Sequence, residues 1–231
     1  MFRIELAGHC FAVDNTYSYV EELCQNYITK KEPEDVISVS PEEIARENED
    51  GGMWSAAYLE SLAVYRKICE RLLTDNILLF HCSAIELDGK AYLFTAPSGT
   101  GKSTHTALWR KVLGDRAVMI NDDKPLIAFK DGIPTVYGTP WCGKHGLGKN
   151  IFAPVKAICI LTRGEQNAIA KIPAPLAMPE LFMQTYRFSD GERMKRVLAT
   201  LDSLINSVGI YRLACNMNPD AALVAYEGMK G

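Results

Sequence analysis

The stretch Lys90 to Leu113, KAYLFTAPSGTGKSTHTALWRKVL, constrains the chain more than any other. An apolar strand, Ala91 to Thr95, runs straight into a glycine-rich turn, and Lys-Ser-Thr then opens a helix. Ala96 to Ser103 (A-P-S-G-T-G-K-S) follows the phosphate-cradling pattern G-x-x-x-x-G-K-[ST], except that alanine stands at the first glycine. Ser98, Gly99, Thr100 and Gly101 form the turn, where glycine lets backbone N–H groups curl around phosphate oxygens. The helix N-terminus at Lys102, Ser103 and Thr104 adds partial positive charge. Lys102 is expected to reach the outer phosphates and the Ser103 hydroxyl to hold Mg²⁺. A plain Ser/Gly/Thr turn is the bland alternative, and the flanking strand and helix weigh against it.

The approach to this loop is unusual. ILLFHCSAIEL (77–87), Asp88-Gly89 and KAYLFTA (90–96) read as two apolar strands about a two-residue Asp-Gly turn, a strong hairpin signal. Paired positions in such a hairpin sum to 177, which sets His81 opposite Ala96 and puts an imidazole beside the phosphate site. In ordinary P-loop NTPases the strand feeding the loop is reached by a parallel crossover. The class expected here is therefore α/β, a mixed sheet in which an antiparallel hairpin feeds the P-loop between flanking helices.

After the loop, a helix from Lys102 to about Leu113 ends at Gly114, and AVMIN (117–121) is a buried strand closing on Asp122-Asp123. Two carboxylates at a strand end suit metal and proton handling: one binds Mg²⁺, the other accepts a proton from an attacking hydroxyl. Adjacent strand residues face opposite ways, so both reach one site only if the strand stops there. A solvated Asp-Asp turn is the alternative. PLIAF (125–129) and IPTVYG (133–138) make a second hairpin about Asp131-Gly132. It leads into TPWCGKHGLGKN (139–150), whose Lys144, His145 and Lys149 suit closure over phosphates as well as a plain surface loop.

Elsewhere the reading is coarser. Residues 2–13 suggest a strand or hairpin about Ala7-Gly8. Asp14, Asn15 and Thr16 offer caps to a following helix, and DVISVS (35–40) reads as a strand. Ser40-Pro41-Glu42-Glu43 has the form of a capping box, ENEDGG (47–52) is a loop, and Ser55 to Leu73 carries a helical apolar stripe. VKAICILTRG (155–164) is a buried strand after Pro154. Helices are expected over Pro179–Gln184, over Asp190 to about Val208, and over Pro219–Met229 capped by Asn218, with GIYRLAC (209–215) a strand. Arg187, Lys195 and Arg212 read as solvated cations. The division expected is an α+β elaboration over 1–75, packed on a P-loop core over 76–231.

Of the 231 residues 48% are hydrophobic and 23% charged, enough for a full core. A net charge of −3 gives no footprint for nucleic acid or an anionic membrane, and no apolar run is long enough to span one. Seven cysteines without a C-x-x-C pair read as reduced thiols in a cytoplasmic protein, and structural zinc is not expected.

Taken together, His81, the loop at 98–103, Asp122-Asp123 and the Gly/Lys loop resemble the HPr serine kinase family, which shares the phosphoenolpyruvate carboxykinase-like nucleotide-binding fold. The resemblance covers roughly Leu78 to Gly164. LTRG (161–164) is also similar to the strand-end turn bordering the nucleotide base in carboxykinases. It implies that Lys102 and the loop amides bind the outer phosphates of ATP, and that Ser103 and Asp123 serve Mg²⁺. Asp122 would be the base, with His81 orienting it or contacting phosphate. The acidic residue of that family's glycine-rich signature has no clear match, and the elaboration at 1–75 is expected in place of its regulatory domain, so the resemblance does not carry HPr over as the acceptor. The function expected is Mg²⁺- and ATP-dependent transfer to a hydroxyl, as of a serine in a protein, peptide or free amino acid. A non-catalytic ATP-binding sensor is the alternative, and carboxykinase chemistry a weaker one. No nucleic-acid or membrane partner is expected, and a homo-oligomer is compatible with the sequence.

Overall fold

The computed structural model describes residues 1–48 and 51–231, and its contacts divide the chain into two units, Met1–Asp75 and Asn76–Gly231. In the first, β1 (Phe2–Leu6) and β2 (His9–Asp14) pair across Ala7 and Gly8, both at positive φ as a primed hairpin turn requires. α1 (Ser18–Leu23) follows, and β3 (Asp35–Ser38) adds in parallel to β2. α2 (Pro41–Arg46) carries the full capping box between Ser40 and Glu43, and α3 (Ala56–Leu72) is capped by the Ser55 hydroxyl. Of the loop expected over 47–52, Glu49 and Asp50 lie outside the described residues.

The caps expected ahead of α1 are a correction: its N-cap is Tyr17, with no side-chain bond. The buried Glu60 carboxylate on α3 instead accepts from Thr16 N at 2.6 Å and Tyr17 N at 3.0 Å. A long-range acceptor replaces the local one, which no local spacing reveals.

The second unit is a mixed sheet with helices on its faces. Its elements are β4 (Leu78–Leu79), β5 (Ser83–Leu87), β6 (Lys90–Thr95), α4 (Lys102–Leu113), β7 (Ala117–Asn121), β8 (Leu126–Lys130) and β9 (Ile133–Tyr137). β10 (Phe152–Arg163), β11 (Ala168–Lys171), α5 (Ala174–Phe182), α6 (Gly191–Ser207), β12 (Gly209–Cys215) and α7 (Asp220–Met229) complete it. The strands run β4-β8-β9-β10-β6-β5-β7, with β12 also paired to β10 and β11 to β12. β6, β10 and β12 are mutually parallel, while β5 is antiparallel to β6 and β7.

Every β5–β6 pair sums to 177, from Ser83 with Phe94 to Leu87 with Lys90. Asp88 and Gly89 both take the positive φ of the primed turn. The apolar run at 77–87 is nevertheless not one strand. Phe80, His81 and Cys82 donate instead to the carbonyls of Pro125, Gln184 and Asp123, which draws them out of the ladder. Three further boundaries differ from expectation. β10 begins at Phe152, since Pro154 pairs with Thr135 and so sits inside the strand. α5 starts at Ala174 and contains Pro179. α7 has Pro219 at its N-cap, while Asn218 contributes only its backbone carbonyl.

β6 alternates Tyr92, Phe94 and Ala96 onto the face covered by α4, whose residues His105, Leu108, Trp109 and Val112 recur at helical spacing. Trp109 is fully buried, with ring centroids 5.1 Å from Tyr92 and 5.2 Å from Phe94. The indole N–H donates to His105 Nε2 at 3.1 Å, and the His105 ring packs edge-on to Phe94 at 4.6 Å. These rings fix the helix that follows the phosphate loop to the strand that precedes it.

Burial pushes the His105 pKa down to about 4. Between that value and its ordinary one the unfolded chain binds the proton that the folded chain excludes, so stability falls with pH across this window. The loss amounts to roughly 3 kcal/mol from pH 7 to pH 4, with little more below. Denaturant melts across that range should show a flatter profile for His105→Gln than for the wild type. Parallel profiles would contradict the assignment.

Candidate active site

Three segments meet at one edge of the sheet because β5 is antiparallel to both its neighbours. β5 begins where β6 and β7 finish, with Ser83 opposite Phe94 and Ala84 opposite Asn121. The end of β6 therefore delivers the loop 96–103, the end of β7 delivers Asp122-Asp123, and the lead into β5 delivers His81. The ladder stops before His81, yet Thr95 Oγ1 donates to the His81 carbonyl at 2.9 Å and keeps it beside the loop.

Gly101 has φ 124° and Gly99 φ 77°, backbone that side chains with a Cβ rarely adopt. Ala96, at the motif's missing glycine, is not at positive φ, so alanine fits there without strain. Its carbonyl accepts from Lys102 Nζ at 2.9 Å. Lys102 is only 8% exposed; burial pushes its pKa down, against the charges of Asp123 and Asp122. An ammonium this poorly hydrated gains strongly from an incoming anion.

The carboxylate pair is shaped by a residue the sequence reading left unassigned. Asn121, fully buried, accepts from both Asp123 N and Lys124 N at 2.8 Å and donates to the Thr139 carbonyl and hydroxyl at 3.1 and 3.0 Å. This side-chain-closed turn ends β7 at once, so Asp122 and Asp123 line the same cleft instead of opposite faces. An Asn directly before Asp-Asp was the available signal. Asp122 Oδ1 accepts from Ser83 Oγ at 2.5 Å, a partner the β5 register fixes and the sequence reading also missed. Asp123 Oδ1 lies 3.2 Å from His81 Nε2, and its other oxygen pairs with Lys124. Burial works against Asp123 ionising, but the His81 hydrogen bond and the Lys124 charge outweigh it and hold the carboxyl at about 2. The partner of His81 is thus Asp123 rather than Asp122.

One cleft of about 480 Å³ brings together His81, Ser98, Gly99, Gly101, Lys102, Ser103, Thr104, Asp122 and Asp123, together with Lys144 and His145. Lys149 lies elsewhere, beside Arg110. A second cleft of about 450 Å³ shares Gly99, Gly101 and Thr104 with the first and takes in Thr100 and Leu108. Its far wall is the carboxyl ends of β10 and β12, Leu161–Gly164 and Cys215–Met217. Arg163 ties that wall to the phosphate loop by donating to the Gly99 carbonyl at 2.9 Å. Ligands of open α/β sheets bind outside the carboxyl ends of parallel strands, and both clefts lie there. Lys195 and Arg212, outside the clefts, pair with Glu192 and Glu180.

The donor set suits Mg²⁺. Ser103 and the two aspartates offer hard oxygen ligands in the main cleft. Among the described residues no group of three or more His, Cys, Asp or Glu is placed to hold a metal. Mg²⁺ is ordinarily held in that way, by one or two carboxylates with substrate phosphates and water rather than by an all-protein cage.

No protein-family model matches the chain, and no curated protein matches it in sequence. Among solved structures it is similar to the Hpr(Ser) kinase/phosphatase from Coxiella burnetii, at 12% identity and a TM-score of 0.39, over 66% of this chain and 88% of that one. A likeness at that score decides nothing about function, which has to come from the clefts themselves. Among the described residues no helix is long and apolar enough to cross a membrane.

Asn121→Ala strips two backbone N–H groups of their acceptor and should lower stability by about 2–4 kcal/mol in denaturant melts. A loss below about 1 kcal/mol would remove Asn121 from the turn-closing role.

Proposed function

We propose that this chain is a Mg²⁺- and ATP-dependent phosphotransferase of the HPr kinase-like type, acting on a hydroxyl such as that of serine. The observation that carries the reading is the gathering of His81, Lys102, Ser103, Asp122 and Asp123, from three separate strand ends, around one cleft of about 480 Å³. The second cleft, contiguous through Gly99, Gly101 and Thr104, is where a nucleoside joined to those phosphates would lie.

The two carboxylates have different work. Asp123, held at about 2 by the His81 hydrogen bond and the Lys124 charge, is a poor proton acceptor and a persistent anion. With the Ser103 hydroxyl it would hold Mg²⁺, which when bound supplies charge neutralisation between the outer phosphates. Asp122 is oriented by the Ser83 hydroxyl through Oδ1, and Oδ2 has no hydrogen-bond partner among the described residues. Asp122 takes the acceptor's proton as the acceptor oxygen bonds the γ-phosphorus and the bridging bond to ADP breaks. Lys102, released from the Ala96 carbonyl, and the loop N–H groups stabilise the charge spread over the transferring group. His81 fixes Asp123 and faces the same cleft.

Radiolabelled-phosphate transfer and nucleotide binding, measured on the same variants, separate these roles. Lys102→Ala should abolish transfer and weaken nucleotide binding. Asp122→Asn should slow transfer by about 10²- to 10⁴-fold while nucleotide still binds. Unchanged turnover in Asp122→Asn would remove it from the base role. Tight ATP binding without transfer to any hydroxyl would point to a sensor instead.

A further inference from the structure

We infer that the acceptor carries an anionic group, a carboxylate or phosphate within a few atoms of its hydroxyl, which Lys144 and His145 hold; this rests on the phosphotransfer reading above. The loop bearing these residues is anchored at both ends. Thr139 is bonded to Asn121, Trp141 is buried, and Lys149 N donates to the Ile120 carbonyl at 3.0 Å. Between the anchors, Gly146 N donates to the Gly143 carbonyl at 3.1 Å, closing a tight turn. Gly143 has φ 74°, and a Cβ there would come within 3.1 Å of Asp123 Cβ. The turn is thus seated against Asp123.

From that turn Lys144 and His145 line the main cleft, exposed and without a hydrogen-bond or ion-pair partner among the described residues. The carboxylates beneath them are already engaged, Asp123 with His81 and Lys124 and Asp122 with Ser83. Lys144 forms no ion pair with either of them. The order of residues along the clefts assigns the remaining charge. The nucleoside cleft joins the main one through Gly99, Gly101 and Thr104, where phosphates would lie. Lys144 and His145 border the main cleft and not the nucleoside cleft, and Gly143 beside them meets Asp123. A group held there belongs to the acceptor, and an ammonium next to an imidazole selects an anion. The transfer itself is unchanged: the acceptor oxygen gains the phosphoryl group, its proton passes to Asp122, and ADP leaves.

Matched acceptors that differ only in charge test this with wild-type protein and Mg·ATP. The pairs are L-serine with L-serinamide, a peptide ending in a serine carboxylate with its amide, and glycerol 3-phosphate with glycerol. Transfer should favour the anionic member, and which pair responds identifies a free amino acid, a chain end or a phosphate as the source. The double variant Lys144→Ala/His145→Ala should raise the KM for that acceptor by about 10- to 100-fold and change the KM for ATP less than about twofold. Equal use of the neutral member, or a rise confined to the KM for ATP, overturns the inference and leaves the kinase reading standing. ATP bound without transfer to any probe overturns both the inference and the kinase reading. Failure to bind ATP overturns the nucleotide site on which they depend.

Discussion

Everything at this site depends on where β5 lies in the sheet. Hydrogen-bonded on both sides and antiparallel to both neighbours, it forces the ends of β6 and β7 to meet its own beginning. The loop at 96–103, a carboxylate pair and an imidazole that are far apart in sequence are thereby set side by side. The parallel strands β6, β10 and β12 extend the same edge in the other direction and open the second cleft beside the first.

The electrostatics follow from that juxtaposition. Lys102, Asp122 and Asp123 are substantially buried, where each unpaired charge is costly, and each is met by a specific neighbour: the Ala96 carbonyl, the Ser83 hydroxyl, and the His81 and Lys124 pair. The neighbours differ, and so the two aspartates are chemically distinct although adjacent. A carboxyl held by an imidazole hydrogen bond and an ammonium stays ionised. One oriented by a hydroxyl keeps an oxygen for a proton.

Much of this was legible in the sequence wherever the determining interaction is local. Asp88-Gly89 dictates the hairpin register, and Gly99 and Gly101 dictate the loop. What was not legible depends on partners far along the chain. Glu60 holds the backbone leading into α1 from more than forty residues away. The apolar run at 77–87 is broken by carbonyls of Pro125, Gln184 and Asp123, which alternation cannot foresee. Ser83 reads as one more small strand residue until the register of β5 against β7 puts its hydroxyl on Asp122. Asn121 reads as the last residue of a strand until its side chain is seen closing the turn. In each case a polar group is satisfied at long range, and the sequence shows the group but not its partner.

The central claim is that one continuous trough holds nucleoside, phosphates and point of transfer in that order. A crystal structure of the chain with Mg²⁺ and a non-hydrolysable ATP analogue tests it most directly. The base is expected against Thr162–Gly164 and Asn216, the triphosphate wrapped by Gly99 to Ser103, and the γ-phosphorus facing Asp122. An analogue bound elsewhere, or one whose γ-phosphate turns away from both carboxylates, would contradict the account.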